Sequence, residues 1–363
     1  NIKLADTLYL KFDYKDDNIL DFHLLTPALH VTNFEFKNIN ITTIQDNLLE
    51  YNVLVSEVFV SNNTLLDDIS LSMLIDQDNK GSYALRYSSG KRQSKESVIQ
   101  GGFDMLDDSF LFNFSNNSFV HFSNQDWSIN PDSQLILQKN DVFVKNFAFY
   151  LDNQIVGLEG SLHKPMSLTF SFDDFDVNHF NPLISNNSIY LDGVLDGSVV
   201  FNQASFPILS GDFELNNFTC NNVLLGRLKL MNSSNALNDS VYINGVIESE
   251  SQTMSFLAKY PLDNTKTITT DIEMTEFPVA VLDPFIKPIS NLKGKGTGNL
   301  HIYGPLDSYY VSGQTKIDSV EFSIPYLNTH YSNNNMPLII DFKNDSMFVE
   351  NFIFSDSLHD TKA

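Results

Sequence analysis

Alternation of period two is the feature that most constrains what this chain can fold into. Residues 109–114 read Ser-Phe-Leu-Phe-Asn-Phe, which sets Phe110, Phe112 and Phe114 on one side of an extended strand. Residues 167–172 likewise set Leu168, Phe170 and Phe172 against Ser and Thr. The pattern recurs at Phe147 and Phe149, Val199 and Phe201, Phe213 and Leu215, Leu228 and Leu230, Leu300 and Ile302, and Val320, Phe322 and Ile324. Turn chemistry punctuates it at Asn62-Asn63, Asn79-Lys80-Gly81, Asn116-Asn117, Asn186-Asn187, Asn221-Asn222 and Asn333-Asn334-Asn335. Helical signals are few. Residues 279–289 read as a short helix broken by Pro284 and Pro288, with 178–185 and Pro182 as its counterpart. The expected class is all-β, mainly antiparallel meander strands with very little helix.

The chain repeats itself. Phe175-Asp-Val177 precedes Pro182 as Phe277-Pro-Val279 precedes Pro284, at a lag of 277 − 175 = 102 residues. Ser210-Gly211 and Ser312-Gly313 keep that lag, and Gly193 and Gly197 match Gly294 and Gly298. A fixed lag argues for a stacked, quasi-one-dimensional architecture. The expected organisation is one continuous elongated domain: 1–174 with strand texture only, 175–276 as one repeat unit and 277–363 as a second, truncated one.

Composition narrows the function classes. The net charge is −23, charged residues are 18% of the chain, and 30 of the aromatic residues are Phe. Disordered chains are rich in charge and poor in aromatics. Nucleic-acid binding needs clustered Lys and Arg, which this chain lacks. The same argument opposes electrostatic docking on an anionic membrane. Cys220 is the one cysteine, so no intrachain disulfide forms. No run of 18 apolar residues occurs. The chain opens on Asn1 and reads as a piece of a longer protein, with an anchor or signal expected upstream.

Motifs for chemistry fail on spacing. Gly294-Lys-Gly-Thr-Gly298 does not match a dinucleotide fingerprint, and Gly90-Lys91-Arg92 lacks the residues of a phosphate loop. Asp76-Gln-Asp78-Asn-Lys80-Gly81 puts Lys80 at a ligand position of a calcium loop and reads as a solvated turn. The eight His have no metal-ligand spacing. Asp173, Asp174 and Asp176 could pair as glycosidase carboxylates, but read more simply as a solvated loop. The expectation is a non-enzymatic protein with no cofactor and no metal.

The segment Ile289-Ser-Asn-Leu-Lys-Gly-Lys-Gly-Thr-Gly-Asn-Leu-His-Ile-Tyr-Gly-Pro-Leu-Asp307, then Val311-Ser-Gly313, then Val320-Glu-Phe-Ser-Ile-Pro-Tyr-Leu-Asn328, resembles the C-terminal region of TamB-type translocation and assembly module proteins, relatives of AsmA-like envelope proteins. The resemblance extends over 277–363 and more loosely over 175–276. It implies a U-shaped curved sheet, a β-taco with an apolar interior groove, ending in an Ile-Pro-Tyr-Leu strand. It further implies a Gram-negative periplasmic location, an inner-membrane helix outside this chain, and an outer-membrane TamA-type barrel partner with POTRA domains, contacted through sequence beyond this fragment. The implied cargo is phospholipid moving between the two membranes in support of outer-membrane assembly.

Physics gives that resemblance a form. A sheet with one face of Phe, Leu, Ile and Val must bury that face or use it. With strands of about six residues, each would span on the order of 20 Å, close to an acyl chain. The alternating residues named above are therefore the candidate lipid-binding set. The alternative is an extracellular β-solenoid or β-sandwich adhesin or carbohydrate-active protein, which would need exposed aromatics on the polar face and carboxylates in a cleft. A purely structural scaffold of packed Phe is the third reading.

Overall fold

A computed structural model describes residues 2–4, 7–15, 19–45, 48–60, 63–89, 95–106, 108–139, 141–163, 165–184, 189–203, 207–235, 240–261, 267–305, 308–333, 336–344, 346–349 and 353–356. The alternating segments are strands, and nearly all pairings are antiparallel meander steps between neighbours in sequence. The chain divides into two units, Asn1–His163 and Lys164–Ala363.

In the first unit the strands Tyr9–Lys15, Ile19–Val31, Phe34–Gln45, Leu49–Val60, Asn63–Ile75, Lys80–Ser89 and Glu96–Leu106 pair in order. The gap between Glu96–Leu106 and Asp141–Leu151 is then shared. Ser109–Phe114 and Gln134–Gln138 fill one half, and the hairpin of Phe119–Phe122 and Gln125–Ile129 fills the other. The Gln154–Ser161 strand pairs with Asp141–Leu151. Ile39, Val55 and Val58 are buried together, with Leu24, Leu29, Phe36 and Ile41 packed on them.

The second unit runs Met166–Asp176, Leu191–Gln203, Pro207–Cys220, Val223–Asn235, Ser240–Glu248, Thr253–Pro261, Thr267–Pro278, Ser290–Pro305 and Tyr310–Ile324. Beyond it, Leu338–Asn344 and Thr329–Asn333 each pair with part of Tyr310–Ile324, and Ser346–Val349 adds to Leu338–Asn344. The strands are longer than six residues: Val223–Asn235 has 13, Pro207–Cys220 has 14 and Ser290–Pro305 has 16. Bulges carry them past the points where alternation breaks. Register shifts fall between Phe172 and Phe175, Leu215 and Phe218, and Met274 and Phe277. A residue of positive φ sits at each: Asp174 (50°), Asn217 (52°) and Glu276 (50°), with Ser319 (54°) in the Tyr310–Ile324 strand. The residues that follow, Phe175, Phe218, Phe277 and Val320, are all buried.

The repeat is structural. The 3-10 turns Val177–Leu183 and Val279–Phe285 begin 279 − 177 = 102 residues apart. They replace the short helices expected there, since Pro182 and Pro284 stop any longer run. Each follows a bulge that is locked in the same way. Asp174 N–H donates to Asp196 Oδ1 at 2.9 Å, and Glu276 N–H donates to Thr297 Oγ1 at 3.0 Å. Gly197 and Gly298 come next in sequence, both at positive φ.

Several expectations need correction. Asp173, Asp174 and Asp176 are not a loop. They end a strand, where Asp174 forms the bulge and Asp176 Oδ1 accepts from Asn178 N–H to cap the 3-10 turn. Ile324-Pro-Tyr-Leu327 is not a strand throughout: Pro325–Leu327 is a 3-10 turn closed by Asn328 in the left-handed region. Asp76 Oδ1 accepts from Asp78 and Lys80 N–H, both at 2.9 Å, so that segment is a turn as expected. Asn186-Asn187, Asn62, Asn334-Asn335 and Gly90-Lys91-Arg92 lie outside the described residues.

Candidate functional site: an apolar sheet face

Register decides which side chains share a face, because directly paired residues project to the same side. In the second unit one rung runs through Phe172, Gly197, Phe213, Leu230, Gly245, Phe256, Ile272, Leu300, Gly313, Phe342 and Met347. A second runs through Phe175, Leu195, Leu215, Leu228, Ile247, Met254, Met274 and Gly298. A third contains Phe170, Val199, Gly211, Ile243, Ala258, Thr270, Ile302 and Val311, with Asn232 as its amide. Leu168 pairs with Phe201 beside it. At about 4.8 Å per strand, the first rung covers on the order of 50 Å.

Val320, Phe322 and Ile324 join this face only because of the Ser319 bulge. Asp318 pairs with Lys295 and Glu321 with Lys293, so one strand advances three residues while the other advances two. The slip keeps Asp318 and Glu321 on the polar side and returns Val320 to the apolar one. Phe322 then packs against Tyr331 and Phe354, with ring centroids 5.6 and 4.8 Å away.

The first unit has an equivalent face. Leu10, Leu24, Ile41, Val53, Leu71, Leu85 and Ile99 form one rung. Phe103, Phe112, Leu135 and Val144 form another, and Phe110 pairs with Leu137. Phe114 sits opposite Gly101, which is opposite Tyr83. The rings touch in a chain: Phe103–Phe112 at 5.6 Å, Tyr83–Phe112 at 5.4 Å, Phe114–Phe147 at 5.2 Å and Phe147–Phe149 at 5.1 Å. Each such pair contributes about 0.5–1.5 kcal/mol beyond area burial.

All the residues expected from alternation therefore fall on one face of their own unit. None of these rungs carries Asp, Glu, Lys or Arg. The opposite face of the second unit has Asp196, Glu214 and Lys229 in one rung, and Asp271 and His301 in another.

Among the described residues, the close backbone contacts are between sheet neighbours or between a 3-10 turn and the strand that follows it. The first of these turns lies on the apolar face, where the Phe180 ring is 4.9 Å from Phe175 and 6.4 Å from Phe172 between centroids. Burial follows position. Phe175, Leu215 and Val320, near the bulges, are 2%, 7% and 3% exposed, whereas Phe170 and Phe110 are 38% and 40% exposed. The remaining expected residues are half-buried. Three surface depressions of about 440, 540 and 440 Å³ are lined chiefly by polar-face residues.

Tyr83 is the titratable group most affected by the apolar face. Its hydroxyl donates to the Asn113 carbonyl at 3.2 Å, and burial pushes its pKa up to about 12. The folded state thus favours the neutral phenol, and this contribution to stability is whole below the ordinary tyrosine value of 10.0 and lost as pH rises toward 12. Denaturant melts at pH 9 and 11.5 should show wild type losing more stability between them than Tyr83→Phe.

No family model, no curated protein and no solved structure matches the chain.

Proposed function

We propose that this chain is a non-enzymatic lipid-carrying segment of the TamB type, in which acyl chains lie along the apolar face. One observation carries the reading: rungs without charge run from strand to strand, and Phe110 and Phe170 on that face are 40% and 38% exposed. A conventional sandwich buries such a face against a partner sheet. Apolar surface left exposed on such a face is otherwise an aggregation liability, and a cargo that shields it removes the liability. The acidic excess keeps the remaining surface soluble. In this reading the chain works in a Gram-negative periplasm, tethered to the inner membrane by a helix outside this sequence. An outer-membrane TamA-type barrel with POTRA domains is its partner, and phospholipid is the cargo.

The ring-to-ring contacts around Phe112 and Phe147 favour a second reading, a scaffold whose Phe stabilise one another. Native mass spectrometry of protein purified without detergent separates the two. The conduit predicts at least one co-purifying phospholipid per chain, displaced by added palmitate. A lipid-free protein that also takes up no palmitate leaves the scaffold standing and ends the conduit reading.

A further inference from the structure

The polar face of the second unit carries a feature that lipid carriage does not use. A depression of about 440 Å³ lies across the Ser240–Glu248, Thr253–Pro261, Thr267–Pro278, Ser290–Pro305 and Tyr310–Ile324 strands. Asn244, Ser255, Asp271, Asn299, His301 and Ser312 line it, and Leu257 gives it an aliphatic wall. These residues share the polar face by register: Asn244 pairs with Leu257, Leu257 with Asp271, Asp271 with His301, and His301 with Ser312.

Beside the depression stands a stack of flat rings. His301 and Tyr303 have centroids 5.5 Å apart with planes inclined by 27°, and Tyr303 lies 5.4 Å from Tyr310 at 33°. Two bonds hold the stack in place: His301 Nδ1 to Asp271 Oδ1 at 2.6 Å, and Tyr303 O–H donating to Asn344 Oδ1 at 2.8 Å. Tyr310 is exposed.

We propose that this depression binds a short neutral glycan. Sugar hydroxyls both donate and accept, and so do the amides of Asn244 and Asn299 and the hydroxyls of Ser255 and Ser312. Asp271 and Glu273 add acceptors that take hydroxyl protons in strong, charge-assisted bonds. The C–H faces of a sugar ring need apolar or aromatic contact, which Leu257 and the His301 ring supply. The volume falls within the usual range of small-molecule sites, about 300–1,000 Å³. Two carboxylates and no Lys or Arg among the lining residues disfavour phosphorylated or acidic sugars. Alternation alone does not reveal the site, because its residues come from five strands and meet only through register.

The test uses the whole chain with chitotriose, maltotriose and cellotriose in saturation-transfer NMR, followed by titration of whichever responds. The site predicts transfer to at least one trisaccharide. It also predicts a Kd at least tenfold weaker in Asn299→Ala and in His301→Ala, and within twofold of wild type in Ser171→Arg, on the Met166–Asp176 strand outside the site. Asn299 is exposed, so its replacement leaves the fold intact and keeps the test readable if His301→Ala does not fold. No transfer to any of the three sugars, or binding that survives Asn299→Ala unchanged, overturns the proposal. Because the site is on the face opposite the lipid surface, this result is independent of whether phospholipid binds.

Discussion

Alanine at Gly197 or at Gly298 should each cost about 2–4 kcal/mol in urea denaturation, among the largest effects of any single methyl in the chain. A Cβ at Gly197 would lie 2.1 Å from the Asp212 carbonyl oxygen, and one at Gly298 would lie 2.1 Å from the Gln314 carbonyl oxygen. Both obstacles are backbone in a paired strand, so neither can move without breaking ladder bonds. Both glycines also have φ in the range that L residues avoid, 138° and 158°. Overpacking and backbone strain therefore add. Gly245 is the control. A Cβ there meets the Phe256 ring at 2.1 Å, but φ is ordinary and a ring can turn, so Gly245→Ala should cost only about 1 kcal/mol. Because Gly197 and Gly298 are matched positions of the repeat, their costs should agree within about 1 kcal/mol. If alanine is tolerated at both, the close strand approach and the equivalence of the two copies are wrong together.

These positions also show what could be read from the sequence. Alternation placed Phe110, Phe112, Phe170, Phe213 and Leu300 on one face, because period two follows directly from the geometry of a pleated strand. The 102-residue repeat was legible because Pro and Gly mark backbone requirements that few other residues meet. Bulges were not legible. Asp174, Glu276 and Ser319 take a positive φ that neither Asp, Glu nor Ser announces, since the neighbouring strand imposes it. Strands consequently seemed to end where they only slip by one residue, and their lengths were read too short. The polar-face depression was illegible for another reason. Asn244 and Ser312 are 312 − 244 = 68 residues apart, and pairing information that alternation does not contain brings them together.

Phe170→Arg should cut lipid loading at least tenfold while the protein stays folded, and Ser171→Arg should change neither loading nor folding. Phe170 is 38% exposed and pairs with Val199 on the apolar face, whereas Ser171 pairs with Ser198 on the polar one. An arginine at position 170 can lay its methylene stem along Val199 and lift the guanidinium into water. The folding cost should therefore stay near 1 kcal/mol, in the range of ordinary surface changes and well short of unfolding. An acyl chain crossing that rung would strip water from the charge, and among the described residues no acid stands in the rungs of the apolar face to pair with it. Burying an unpaired charge costs several kcal/mol, so occupancy there should fall by at least tenfold. The neighbouring substitution adds the same charge and nearly the same volume one residue away, and so removes net charge and expression as explanations. Phospholipid per chain by native mass spectrometry, with a urea melt of each variant, reads both quantities. Equal loading in the two variants would mean that lipid does not distinguish the faces, and the conduit reading would fail. A melt showing that Phe170→Arg unfolds the protein would instead mean that the Phe hold the sheet together as a scaffold.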